Sequence, residues 1–367
     1  MELKRLLDDL LIVPGVSGYE DPIRNRIREL ISRHVDRVEI DSLGNLIATR
    51  EGRGEGHLAF LAHMDELGLV VSNITDDGFI RFRKMGGIDD RILPSRHVRV
   101  FTREWKEVHA VIAWVPPHMS AEGQKNRDKV VSWQDMVIDI GSGSAKEVAA
   151  LGLRVGDPVV FAKQISYLAN DLMACRGMDN RAGCAALVSL IQALSETTVS
   201  PRITFIFTTQ EEYGLRGASV AGFEVSADAA FAIDTASAPD FSGVPAVYRD
   251  QFRIGNGPVL RLVDTRMVAS RPMSDYVERI ASESGIPCQL GVVGGSTDAA
   301  AVQMAGRGLP SLAICIPCRY THATVEVISL SDVEATIALL QKILETYPFG
   351  ADWNAGRPMH KKEGLGK

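Results

Sequence analysis

The chain has 367 residues, 46% hydrophobic and 23% charged, enough for one large core or two domains. With 40 basic and 46 acidic residues, a net charge of −6 and no long basic run, it offers no dedicated nucleic-acid surface. No stretch approaches the roughly 18 consecutive apolar residues of a membrane span, and the odd set Cys175, Cys184, Cys288, Cys315 and Cys318 argues against a secreted disulfide framework, so a cytoplasmic location is expected.

Leu3, Leu6, Leu7, Leu10 and Leu11 follow helical spacing and stop at Pro14-Gly15. A second helix is predicted from Asp21-Pro22, with Ile23, Ile27, Leu30 and Ile31 inward. VEIDSLGNLIATR reads as strand, turn at Gly44-Asn45, strand. HLAFLAHMDELGLVV reads as one buried strand with polar residues near its end. After about Val71 come short strand-like pieces, FIRFRKM, HVRVFT, EVHAVIAWV and DPVVFAK, separated by turns such as Asp76-Asp77-Gly78 and Gly86-Gly87. Between them, PPHMSAEGQKNRDKVVSW reads as a polar loop. From about Arg176, helix and strand alternate. NRAGCAALVSLIQAL and PMSDYVERIASES read as helices, the latter closed by Gly285, and RITFIFTT, AAFAIDT and SLAICIP as strands. Ser331 and Glu334 match a capping box for a last helix. The expected fold is α/β: a mostly parallel sheet flanked by helices, interrupted by a small all-β module. Residues 1–71 and 164–350 would form the main domain, 72–163 the insert and 351–367 a tail. The Cys315/Cys318 CxxC, with no second pair, reads as structural.

Five polar segments sit where apolar strands end or the next helix opens: His63-Met64-Asp65, Asp179-Asn180, Glu211-Glu212, Asp234 and His322. Sites in such sheets form outside the carboxyl ends of the strands. Residues i and i+2 of an extended segment point the same way, so Asp65 can fix the His63 tautomer. Adjacent Glu211 and Glu212 repel unless a cation compensates, and chemistry can give one a ligand's task and the other a base's. Each segment alone has a plain structural reading: a turn pair at His63 and Asp65, a helix cap at Asp179, a lone structural histidine at His322. Together, two histidines and three carboxylates make a nitrogen–oxygen donor set suited to Zn²⁺ or Co²⁺.

The motifs AHMDELG (62–68), MDNRAGC (178–184), QEEYGLRGA (210–218), AIDT (232–235), GGSTDAAA (294–301) and RYTHATVEV (319–327) occur in the order found in the M42 family of metallo-aminopeptidases, which the chain resembles over nearly its whole length. The resemblance implies two divalent ions per subunit: His63 and Asp234 on one, Glu212 and His322 on the other, Asp179 bridging. It implies Glu211 as general base, Asp65 as the residue orienting His63, and a cis peptide at Asp179-Asn180. An ion-activated water would cleave the N-terminal residue from short peptides. Gly295 and Asp298 would border the substrate, although a glycine turn with an Asp298 cap reads equally well. The insert would mediate self-association, dimers building a dodecamer. Ala323 departs from the serine many relatives carry after the histidine. Alternatives are an N-acyl amino-acid deacylase using the same site, a non-catalytic metal-binding scaffold, and a glycosidase, which two histidines among the acids disfavour.

Overall fold

A computed structural model describes residues 3–119, 129–195, 197, 199–249, 251–350 and 353. Half of the polar loop at 116–133, residues 120–128, and all of the tail at 351–367 except Trp353 therefore fall outside the described residues.

The main domain is built on an 11-stranded mixed sheet. Its order runs Arg37–Ile40, Leu46–Arg50, Arg202–Thr208, His57–His63, Ala229–Ser237, Ser311–Arg319, Glu326–Ser329, Leu172–Cys175 and Ser166–Tyr167, with Val259–Val263 and Gln289–Val292 as a side branch. The four strands from Arg202–Thr208 to Ser311–Arg319 pair in parallel, while both margins are antiparallel. The expected parallel sheet is thus its centre. Burial follows from strand periodicity. Phe60, Phe205 and Phe231 point to one face, where they meet helices Leu3–Ile12, Asp21–Ile31, Met178–Ala193, Arg271–Glu283 and Leu330–Thr346. Ala59, Leu61, Ile206, Ala230 and Ala232 point to the other, under helices Arg216–Glu224 and Asp298–Gln303. Phe60 is fully buried, its ring stacked 5.9 Å from Phe205 and 5.6 Å from Phe231. Phe60→Ala is expected to cost about 3–5 kcal/mol, read by chemical denaturation.

The apolar run after His57 is two strands, not one. His57–His63 ends in the sheet, and Gly68–Ile74 begins a closed barrel. Around the barrel follow Ile80–Met85, Val137–Asp139, Glu107–Ala113, His97–Phe101 and Pro158–Phe161, which pairs back to the first strand. Leu69, Val71, Phe82, Val100, Ile112, Ile138 and Val159 fill it.

The capping box is not formed. The last helix starts at Leu330 with Ser329 at the cap, no side chain accepts from its first turn, and the Ser329 and Ser331 hydroxyls bond each other at 2.7 Å. Cys315 and Cys318 are free and buried in the cores on opposite sheet faces, as residues three apart on a strand must be. No helix among the described residues is long and apolar enough to cross a membrane.

Candidate metal-dependent active site

The parallel strands deliver the site. His63 ends its strand in register with Thr208, and the turn after Thr208 carries Glu211 and Glu212. Asp234 lies on the neighbouring strand, paired with Cys315. Asp179 and Asn180 leave helical geometry at the start of Met178–Ala193, and the peptide between them is cis. The regular helix is capped by Asn180, whose side chain accepts from the Gly183 N–H three residues on, so Asp179 is not the helix cap. Asn180 donates to the Ile233 carbonyl (2.7 Å) and accepts from the Gly183 N–H (3.0 Å). This locks the helix start against the Asp234 strand.

His63 Nε2 lies 3.2 Å from Asp179 Oδ1, 3.5 Å from Asp234 Oδ1 and 3.9 Å from Glu211 Oε2. His322 Nε2 lies 3.4 Å from Glu212 Oε2 and 3.8 Å from Asp179 Oδ2. Two donor groups result, His63–Glu211–Asp234 and Asp179–Glu212–His322, the donor atoms of each lying within 4.8 Å of one another. Asp179 faces both histidines with separate oxygens. Asp65 is fully buried. It accepts from the Glu211 N–H (2.9 Å), the Glu212 N–H (3.1 Å) and the Ser17 hydroxyl (2.6 Å). Its carboxylate is 3.5 Å and its backbone carbonyl 3.2 Å from His63 Nδ1. Asp65 therefore holds the acidic turn as well as the imidazole.

The sequence reading missed Glu326. This buried acid accepts from the backbone N–H groups of His322 (3.1 Å), Gly177 (2.9 Å) and Asp179 (3.2 Å), tying together the two segments that carry the candidate ligands Asp179 and His322. It stands four residues after His322, and only a search for acids near the candidate ligands could have flagged it. Arg176 was missed too: its guanidinium packs 4.8 Å over the Phe161 ring and donates to the Ala323 and Leu67 carbonyls. Gly295 lies on the wall of the cleft. Asp298 lies beneath it, 2% exposed, as the first residue of its helix, and takes a hydrogen bond from Thr208.

Electrostatics show what the cluster lacks. Among the described residues, the ion-pair partners of Asp179, Glu211, Glu212 and Asp234 are His63 and His322. Burial pushes the carboxyls of Glu211 and Glu212 well above the usual range, reinforced by Asp234 against Glu211 and by Asp179 against Glu212. Asp234 is raised by burial as well. Burial opposes a charge on His63, yet Glu211 and the hydrogen-bonded Asp179, Asp234 and Asp65 overcome it and hold the imidazole protonated well above its ordinary pKa. That proton sets one positive charge among the four acids Asp179, Glu211, Glu212 and Asp234. A divalent ion would displace it and neutralise the acids, and the oxygen and nitrogen donors suit Zn²⁺ or Co²⁺. The residues fit such ions.

The cleft over the cluster encloses about 800 Å³. Parallel strands whose carboxyl ends bring acids and imidazoles into one cleft set out a candidate hydrolase centre. The sequence profile described as M42 glutamyl aminopeptidase matches residues 44–339. The TET1 peptidase of Pyrococcus horikoshii, described as able to assemble into a tetrahedron or a large octahedral shell, superposes with a TM-score of 0.85 at 38% identity, covering 94% of this chain and 99% of that one. An aminopeptidase from the archaeon Desulfurococcus kamchatkensis gives 0.88 at 34% identity over 94% of both chains. The lysyl aminopeptidase of Pyrococcus furiosus is 31% identical over 93% of this chain and 96% of its own length. The chain belongs to the M42 family of aminopeptidases.

Proposed function

We propose that this protein is a two-metal aminopeptidase that removes the N-terminal residue of short peptides. The placement of Asp179 between His63 and His322 carries the reading, because one carboxylate facing two donor groups is what a pair of ions requires. His63 and Asp234 would hold one Zn²⁺ or Co²⁺, Glu212 and His322 the other, and Asp179 both. Bound there, the ions would supply Lewis-acid polarisation of a carbonyl and acidify a water.

The chain's own groups do the rest. Glu211, nine-tenths buried on the wall of the cleft, takes a proton from the attacking water and returns it to the departing amine. Asp65 fixes the turn that carries Glu211 and the ring of His63. The test is hydrolysis of amino-acid p-nitroanilides with added Co²⁺ or Zn²⁺ against a chelator control. Activity unchanged by complete ion removal sinks the reading. An N-acylated amino acid run beside its free-amine counterpart separates the deacylase alternative.

The cleft also speaks to selectivity. Its acids are Asp179, Glu211, Glu212 and Asp234, all committed to the ion site, whereas Arg261 and Arg266 carry positive charge on its wall. Arg261 is turned toward Asp264 at 3.3 Å, while Arg266 is exposed. An acidic first residue should therefore be preferred over a basic one. Arg266→Glu is expected to lower the glutamyl-to-lysyl ratio of kcat/KM by about tenfold or more, because like charges then face the acidic substrate.

Residues 72–163 would serve self-association, with dimers building a dodecamer. Support comes from the assembling TET1 relative and from Val115, Val130 and Val155, which stand exposed on that module. Five unpaired cysteines favour the cytoplasm.

A further inference from the structure

Glu212 and His322, two ligands of the same donor group, lean on the inserted barrel. The contact is the Gly86-Gly87 turn, which directly follows the strand Ile80–Met85. His322 Nδ1 lies 3.1 Å from the Gly87 carbonyl oxygen. A carbonyl only accepts, so Nδ1 is the donor here, and in the neutral ring Nε2 then keeps its lone pair toward Glu212 and Asp179. A Cβ on Gly87 would stand 3.2 Å from that same Nδ1. A Cβ on Gly86 would overlap Leu67 Cδ2 and stand 3.2 Å from the Glu212 carbonyl oxygen. The turn is bare of side chains where it meets the two ligands.

His322 needs such a prop. Its side chain is 46% exposed and its backbone is left-handed, at φ 64°. Glu326 holds the backbone N–H, and Gly87 supplies the hydrogen bond at Nδ1. The hydrogen bonds of the other donor group come from outside the barrel: His63 and Glu211 meet Asp65, as the Glu212 N–H also does, and Asp234 accepts from the Thr235 N–H.

We infer that the barrel is a working part of the hydrolytic centre: its Gly86-Gly87 turn positions His322 and Glu212, so the insert completes one donor group and not the other. The inference rests on the two-metal reading. Gly86 and Gly87 are positioning residues, since they act through the ligands.

Gly87→Ala in the full chain tests the contact, because the left-handed backbone in this turn belongs to Gly86 and not to Gly87. Co²⁺ titration by calorimetry should give two ions per chain in the wild type. In Gly87→Ala one ion should bind unchanged and the other about 10–100-fold more weakly, as for loss of a ligand's outer hydrogen bond. Gly143→Ala, on the same module with its nearest neighbour Glu147 at 3.8 Å, should keep both ions and the same oligomeric state. Two ions at wild-type affinity in Gly87→Ala would overturn the inference. A wild type that binds fewer than two ions counts against the two-metal reading instead. Nitrogen NMR of the metal-free protein then decides the inference, even where the variant does not fold. His322 as the Nδ1–H tautomer in the wild type, lost in Gly87→Ala, supports it, and the Nε2–H form in the wild type overturns it.

Discussion

Replacing Glu211 with glutamine is expected to lower kcat by about 10²–10⁴-fold while the chain keeps its full complement of ions. Glutamine preserves the shape of the side chain and leaves the backbone bond to Asp65 (2.9 Å) untouched, but it cannot accept a proton from water. The experiment separates two roles, because a Glu211 oxygen also falls within the His63–Asp234 donor group. Metal analysis of the purified variant distinguishes them. Loss of an ion alongside loss of rate would make Glu211 a ligand. Rates near wild type with both ions bound would remove it from the chemistry.

Stripping the ions should make stability fall steeply with rising pH. Burial raises Glu20, Glu326 and Asp298 to about 7, aided in turn by Asp65, Asp179 and Asp234, and it lifts Glu211 and Glu212 well above the usual range. A carboxyl whose folded pKa exceeds its unfolded one holds its proton more tightly when folded. Its contribution is fully present below the unfolded value, about 4, and is lost as pH rises through the folded value. The metal-free chain should therefore be most stable near pH 5 and lose on the order of 10 °C in Tm by pH 8. His63, whose folded pKa is likewise raised, adds to the fall, while Asp65 and Asp179, whose pKa values are lowered, act in the opposite sense only below about pH 4. Zn²⁺ or Co²⁺ should restore Tm with a dependence on ion concentration. Thermal melts across pH, with and without ion, check this. A flat profile without ion would mean that water reaches the cluster and relieves the repulsion.

Residues legible in the sequence share one property: each interrupts or ends an apolar strand. His63, Glu211 and Asp234 stand out against LAFLA, ITFIFTT and AAFAI because a charged residue there needs a reason. Asp179 and His322 carried less contrast, and their weight came from the combination of donors and then from the order of motifs. The props of the site could not be read this way. Glu326, Arg176, Ser17 and the Gly86-Gly87 turn act through contacts that only the folded chain creates, and a glycine with no side chain leaves no chemical mark. The missed break after His63 has a similar cause. Met64 and Leu67 are as buried as the strands they join, so hydrophobicity alone shows no boundary between sheet and barrel. Ser331 fitted a capping pattern, but the chain reaches the helix directly from the strand Glu326–Ser329, and the cap falls at Ser329, two residues before Ser331.

The barrel's first and last strands are hydrogen-bonded neighbours, Leu69 opposite Val159 and Val70 opposite Pro158. The polypeptide thus departs the host and rejoins it about one strand spacing away, roughly 5 Å. Once the module has formed, the host experiences it as a hairpin-sized link, and closing the two halves of the chain around it costs little configurational entropy. A cassette joined this way can change its outer face across generations while the host topology stays the same. Its inner lip, pressed against His322 and Glu212, has no such freedom.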